Sequence, residues 1–68
     1  MKKQYSRGVI LTWMRAEKNR FIDPLTGECN ATQLAEAAAD RFTIYENTRD
    51  YTIPEYVFEL SANVADES

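Results

Sequence analysis

The chain has 68 residues, a formal net charge of −3, one cysteine (Cys29) and no histidine. That length leaves room for one domain with a small core, and a lone cysteine excludes a disulfide within the chain. The lack of histidine removes the commonest general base, and one thiol cannot by itself form a zinc site. We therefore expect a single domain over residues 1–68 that is not an enzyme and holds no metal or cofactor.

The charge is divided along the chain. Residues 1–20 contain six basic residues and one carboxylate, whereas residues 21–68 contain two basic residues and ten carboxylates. Because summed charge steers encounters with partners, the two parts predict one basic and one acidic candidate surface. No apolar run approaches the roughly 18 residues that a membrane helix needs, so we expect a cytoplasmic protein without membrane contact.

The first predicted helix covers about residues 4–20. One broad side of it collects apolar residues at helical spacing. These residues are Val9, Ile10, Trp13, Met14, Ala16 and Phe21. The opposite side carries Arg7, Arg15 and Lys18, with Leu11 isolated among them. The spacing therefore predicts an amphipathic helix with a basic outer side.

The second predicted helix covers residues 31–42. Pro24 and Gly27 come before it and predict a tight connector or a very short hairpin, because proline restricts its predecessor and glycine accepts positive φ. Asn30 is placed to cap the helix by accepting a hydrogen bond from the amide of Gln33. Leucine, alanine and phenylalanine then repeat every four residues, which predicts a buried face.

Residues 32–39 (TQLAEAAA) carry the Thr/Ser-x-Leu-Ala-x-x-Ala pattern that is common in the first helix of helix-turn-helix domains. Residues 30–42 therefore resemble the helix-turn-helix and winged-helix-like superfamily. The resemblance implies a helical fold with the third helix in the recognition position, and DNA as the ligand. Two features depart from the pattern. The next connection has about nine residues rather than three or four, and the third helix has no Lys or Arg.

The third predicted helix covers residues 53–65. It opens with a capping box in which Thr52 is the cap and Glu55 its reciprocal partner. Residues 43–51, before it, mix β-branched, aromatic and polar side chains, which fits either a loop or a short extended segment. We expect residues 65–68 to fray, since chain ends do so unless they are tied down.

The three helices predict an all-α fold, a small three-helix bundle. A helix-turn-helix-like arrangement with a short extended segment stays open as a variant of it. The apolar faces predict one core between the helices. Its nine expected members are Ile10, Trp13, Met14, Leu34, Ala38, Phe42, Val57, Leu60 and Val64.

The candidate partner-binding residues are Phe58, Glu55 and Glu59. Phe58 falls about 100° from the centre of the predicted buried stripe of the third helix. An aromatic ring outside the core of a charged helix predicts contact with another protein or with a second copy of the chain. Carboxylates four residues apart are otherwise typical of a solvated helix surface.

The alternative candidate surface is basic and would bind nucleic acid. It consists of Lys2, Lys3, Arg7, Arg15 and Lys18. Such a surface would contact phosphates without reading base sequence, and its binding would weaken steeply with salt. A solvated helix side is the other interpretation of the same residues.

The sequence thus favours a small non-enzymatic protein-interaction or regulatory module whose partner is another protein or a second copy. The alternative hypothesis is a helix-turn-helix-type DNA-binding protein, and a third is a structural piece of a larger assembly. The charges favour the first hypothesis, because phosphates would repel a recognition helix that carries carboxylates.

Overall fold

The computed structural model describes residues 5–47 and 49–67. Three helices follow one another along the chain: α1 at Arg7–Glu17, α2 at Ala31–Phe42 and α3 at Glu55–Asp66. The described residues form no sheet and contain two isolated antiparallel bridges instead. The predicted all-α fold of three helices is confirmed.

α1 is shorter than the helix predicted over residues 4–20. It begins after Ser6, whose Oγ accepts a hydrogen bond from the Val9 N–H at 3.2 Å and so satisfies one donor of the first turn. After Glu17 the chain tightens into a 3₁₀ turn at Lys18–Phe21. The helical stretch therefore passes the predicted end, but its last residues have the tighter geometry.

The connector after α1 is a very short hairpin, one of the two forms expected there. Ile22 and Cys29 form an antiparallel bridge across it. The Gly27 N–H donates to the Asp23 C=O at 2.7 Å, and Gly27 has a φ of 75°, in the region that favours glycine. The hairpin reverses the chain and delivers it to the start of α2.

α2 covers the expected residues and has the expected cap. The Asn30 Oδ1 accepts a hydrogen bond from the Gln33 N–H at 3.0 Å. At the other end, Thr43 adopts the left-handed conformation with a φ of 53°. The Ile44 N–H then donates to the Ala39 C=O at 2.9 Å, the 6→1 bond of a Schellman motif. This turn places Ile44 against the core.

α3 begins later than expected, and the predicted capping box of Thr52 and Glu55 is wrong. Pro54 occupies the N-cap position without a side-chain hydrogen bond to the helix. Thr52 instead pairs with Asn47 in the second bridge, and its hydroxyl donates to the Asp50 carboxylate. Proline disfavours helical geometry in the residue before it, so the helix starts only after Pro54.

One core lies between the three helices. Its buried members are Ile10, Met14, Leu34, Ala35, Ala38, Phe42, Val57, Leu60 and Val64. They include eight of the nine expected residues. The ninth, Trp13, is half-buried and packs against the cluster, with its ring edge-on to Phe42 at 5.8 Å. The small alanines of α2 let α3 pack closely against it.

Three residues of α1 lie in environments other than those predicted. Leu11, expected among the basic residues, is half-buried and packs against the core. Val9 and Ala16, expected on the apolar side, are exposed, and 48% of the Val9 surface is accessible. The buried face of α1 is centred on Ile10 and Met14, because the helix contacts both α2 and α3. That centre shifts burial towards Leu11 and away from Val9.

Candidate interaction surfaces

The outer face of α3 is determined by the residues that its inner face buries. Val57, Leu60, Ser61 and Val64 are buried and fix the rotation of the helix. The exposed residues on the other side are Glu55, Phe58, Glu59, Ala62, Asn63 and Asp66. We call these six residues the α3 face. It contains three carboxylates and no basic side chain.

Phe58 is the large apolar residue of the α3 face, with 38% of its surface exposed. The buried Ser61 hydroxyl donates to the Phe58 C=O at 2.9 Å, which ties the backbone below the ring to the inner side of the helix. Neither ion pair found in the described part of the chain involves Glu55 or Glu59. The structure thus brings the three predicted partner-binding residues to one exposed face.

Lys2 and Lys3, the first two members of the predicted basic surface, lie outside the described residues. The other three, Arg7, Arg15 and Lys18, each contact α3 or the residue that follows it. The Arg7 guanidinium lies over the Tyr56 ring, 5.0 Å from its centroid, in a cation–π contact between α1 and α3. Arg7 therefore packs across the first turns of two helices.

Arg15 and Lys18 bind one residue, Glu67, which directly follows α3. The Arg15 Nε donates to the Glu67 Oε1 at 3.1 Å, and its Nη2 donates to Oε2 at 2.8 Å. The Lys18 ammonium donates to the main-chain carbonyl oxygen of Glu67. The expected fraying of residues 65–68 is therefore wrong for those described, because α3 continues to Asp66 and Glu67 is tied to α1.

The paired charges of Arg15 and Glu67 shift each other's pKa. Hydrogen bonds from Arg15 lower the pKa of the Glu67 carboxyl, although partial desolvation acts in the opposite direction. The same hydrogen bonds raise the pKa of the Arg15 guanidinium. The side chains are 55% and 41% exposed, and water screens such a pair, so it adds little to stability. A competing anion in solution can reach it.

A second apolar surface lies at the start of α1 and is not predicted from the sequence. Tyr5 and Val9 have 44% and 48% of their surface exposed. The Tyr5 ring lies 4.7 Å from the ring of Phe42, which Trp13 meets from another direction. The four-residue spacing of Tyr5, Val9 and Trp13 is the sequence feature that marks this surface. Helical periodicity alone, however, would place these residues in the core and not on an exposed surface.

Cys29 is half-buried and packs against the core beside the hairpin bridge. Among the residues that the structure describes, no three Cys, Asp or Glu side chains are grouped so that they could hold a metal ion. No helix in the same part of the chain has the length and apolar character to cross a bilayer.

The chain matches no protein-family model, and searches among curated proteins and solved structures found no similar chain. The function of the chain is therefore inferred from the α3 face and from the contacts of the basic residues.

Proposed function

We propose that this protein is a small non-enzymatic interaction module that binds another protein through the α3 face. The observation that carries the proposal is the exposed Phe58 ring beside Glu55 and Glu59 on one helix face. Large aromatic anchors supply much of the affinity of protein interfaces, while the surrounding charges set encounter rate and partner choice. A fitting partner offers an apolar pocket edged by Lys or Arg.

The α3 face is held in place before any partner arrives. Val57, Leu60 and Val64 fasten α3 to the core, and the Ser61 hydroxyl bonds to the backbone at Phe58. Binding would therefore order few additional groups, which limits the entropic cost of association. This preorganisation supports the α3 face as a binding surface even though the domain is small.

Two observations favour a protein over nucleic acid as the partner. The α3 face carries carboxylates and no basic side chain, so phosphates would be repelled from it. Arg15 and Lys18 already contact Glu67, and a phosphate would have to displace that residue. The helix-turn-helix hypothesis, with Arg7, Arg15 and Lys18 as phosphate contacts, is the alternative that the experiment must separate.

Affinity capture from an extract of the native cell tests the proposal, with the purified chain as bait. The variant Phe58→Ser removes the proposed anchor. Leu25→Ser is the matched control, because it removes another apolar side chain, 93% exposed, at the hairpin. We expect Phe58→Ser to weaken binding by about 2 kcal/mol or more, roughly 30-fold in affinity. Leu25→Ser should recover the partner as the wild type does.

A third bait, with Arg7, Arg15 and Lys18 all replaced by Gln, tests the alternative. Circular dichroism of each bait establishes that it is folded. If the wild type captures nucleic acid, the triple variant loses it and Phe58→Ser retains it, the DNA-binding hypothesis is right and the proposal is wrong.

A further inference from the structure

Arg15 and Lys18 are arranged around a single acidic residue. They lie one helical turn apart, on α1 and the 3₁₀ turn, and both contact Glu67. The Arg15 fork holds the side-chain carboxylate, and the Lys18 ammonium holds the main-chain carbonyl of the same residue. Glu67 itself is extended, with φ −69° and ψ 129°. The two basic side chains therefore bind both the carboxylate and the main-chain carbonyl of one extended residue.

An open cleft of about 520 Å³ adjoins this contact, between the hairpin and the end of α3. Lys18 and Glu67 are among the residues that line it. Ile22, Cys29 and Ala65 supply its apolar lining. The cleft thus has room for an uncharged side chain next to the residue that Arg15 and Lys18 hold.

We propose that Arg15, Lys18 and this cleft form a recognition site for an acidic residue in an extended segment of a partner protein. Glu67 occupies the site as an intramolecular competitor. A guanidinium fork matches a carboxylate in two parallel hydrogen bonds, and the lysine selects a main-chain carbonyl in register with it. A partner segment binds by taking the place of Glu67.

The charges in the cleft restrict the ligand further. Glu28 and Asp66 line it together with the apolar residues. They repel a second acidic residue and a continuous run of phosphates. The site therefore favours one carboxylate followed or preceded by an apolar residue, and it disfavours duplex DNA.

The intramolecular occupant is weakly held. Exposed ion pairs contribute little, so Glu67 should lower the apparent affinity for a partner segment by about two- to fivefold. This site shares only Asp66 with the α3 face and does not depend on Phe58. The inference and the proposed function can therefore fail separately.

The test is an NMR titration of the ¹⁵N-labelled full chain at low ionic strength. The probe is the peptide acetyl-Gly-Leu-Glu-Leu-Gly-amide, and the same peptide with Gln in place of Glu is the ligand control. We follow the Arg15 Nε–H resonance and the backbone amide of Lys18. Four proteins are compared: the wild type, Glu67→Ala, Glu36→Ala, and the double variant of Arg15→Gln with Glu67→Ala.

We expect Glu67→Ala to bind the Glu peptide about two- to fivefold more tightly than the wild type. Glu36→Ala removes the same charge from α2, outside the residues that line the cleft, and should bind as the wild type does. In the double variant, which lacks the Arg15 Nε–H, the Lys18 amide should no longer respond to the Glu peptide. The Gln peptide should shift neither resonance of the wild type. A dispersed spectrum establishes that each variant is folded, and Lys18→Gln replaces Arg15→Gln if the double variant is not.

Three outcomes overturn the inference. The first is equal affinity of Glu67→Ala and the wild type, and the second is equal binding of the Gln and Glu peptides. The third is a stronger response of Arg15 and Lys18 to a short DNA duplex than to the Glu peptide, which would assign the site to phosphate.

Discussion

Thr43 and Tyr51 both adopt left-handed backbone, with φ of 53° and 57°. Residues with a Cβ pay about 1–2 kcal/mol for this conformation, and β-branched residues are among the least suited to it. The end of α2 requires the left-handed conformation at Thr43, because this turn of the chain allows the Ile44 N–H to reach the Ala39 C=O. The cost at Thr43 is thus part of how the helix ends.

Replacing Thr43 with Gly should therefore stabilise the protein. We expect a gain of about 0.5–1 kcal/mol, smaller than the steric relief because glycine also gains freedom in the unfolded chain. Urea unfolding followed by circular dichroism measures it. Gly27→Ala is the converse control. A Cβ there would meet no atom within 4 Å, so its expected loss of about 1 kcal/mol comes from the positive φ alone. A destabilised Thr43→Gly would contradict the assigned helix end.

The two predicted caps differ in the structure and should differ in energy. Asn30→Ala removes the acceptor of the Gln33 N–H and should cost about 0.5–2 kcal/mol. Thr52→Ala removes a hydroxyl that bonds only to the exposed Asp50, so its loss should fall within about 0.5 kcal/mol. Thermal unfolding of both variants measures the two losses of stability. If Thr52→Ala lost as much stability as Asn30→Ala, Thr52 would cap α3 as the sequence predicted.

At the scale of the elements, local sequence features predicted α2 better than α1 or α3. Asn30 and the four-residue apolar repeat act within the helix itself, so its bounds follow from neighbouring residues. The start of α3 depends on Pro54 and on a bridge between Asn47 and Thr52, which competes with capping. The rotation of α1 depends on two neighbouring helices, and no periodicity within α1 contains that information.

The rotation of α1 can be tested on adjacent residues. Ile10 is fully buried, and truncation to Ala should cost about 2–5 kcal/mol through lost burial and a cavity. Val9 is exposed, so Val9→Ala should change stability by no more than about 0.5 kcal/mol. Chemical unfolding compares the two. Similar losses at both positions would support the broader apolar side expected from the sequence.

The contact of Glu67 with α1 should make stability depend on pH. Arg15 lowers the folded-state pKa of Glu67 below its unfolded value. This contribution is therefore present above the unfolded pKa and is lost as the pH falls through the folded one. Between about pH 5 and about pH 3, the wild type should lose more stability than Glu67→Gln. Glu59→Gln, which changes the same charge elsewhere, should follow the wild type. Parallel curves for wild type and Glu67→Gln would contradict the pairing.

At the scale of the whole molecule, the sequence placed Phe58 outside the core because its angle on the helix is independent of tertiary detail. It could not predict where the basic residues point. The contact between Arg15 and Glu67 joins residues 52 positions apart, and only the packing of α1 against α3 brings them together. Part of the charge that is divided along the chain is therefore paired within the molecule, between Arg15 and Glu67.

Site-specific photocrosslinking in the native cell tests whether the α3 face binds a protein, as we claim. A benzoylphenylalanine placed at Phe58 keeps the aromatic ring on the α3 face, and the same residue placed at Leu25 is the control. We predict a discrete protein adduct from Phe58 and none from Leu25. Adducts with nucleic acid from a third probe at Arg7, with none from Phe58, would contradict the claim.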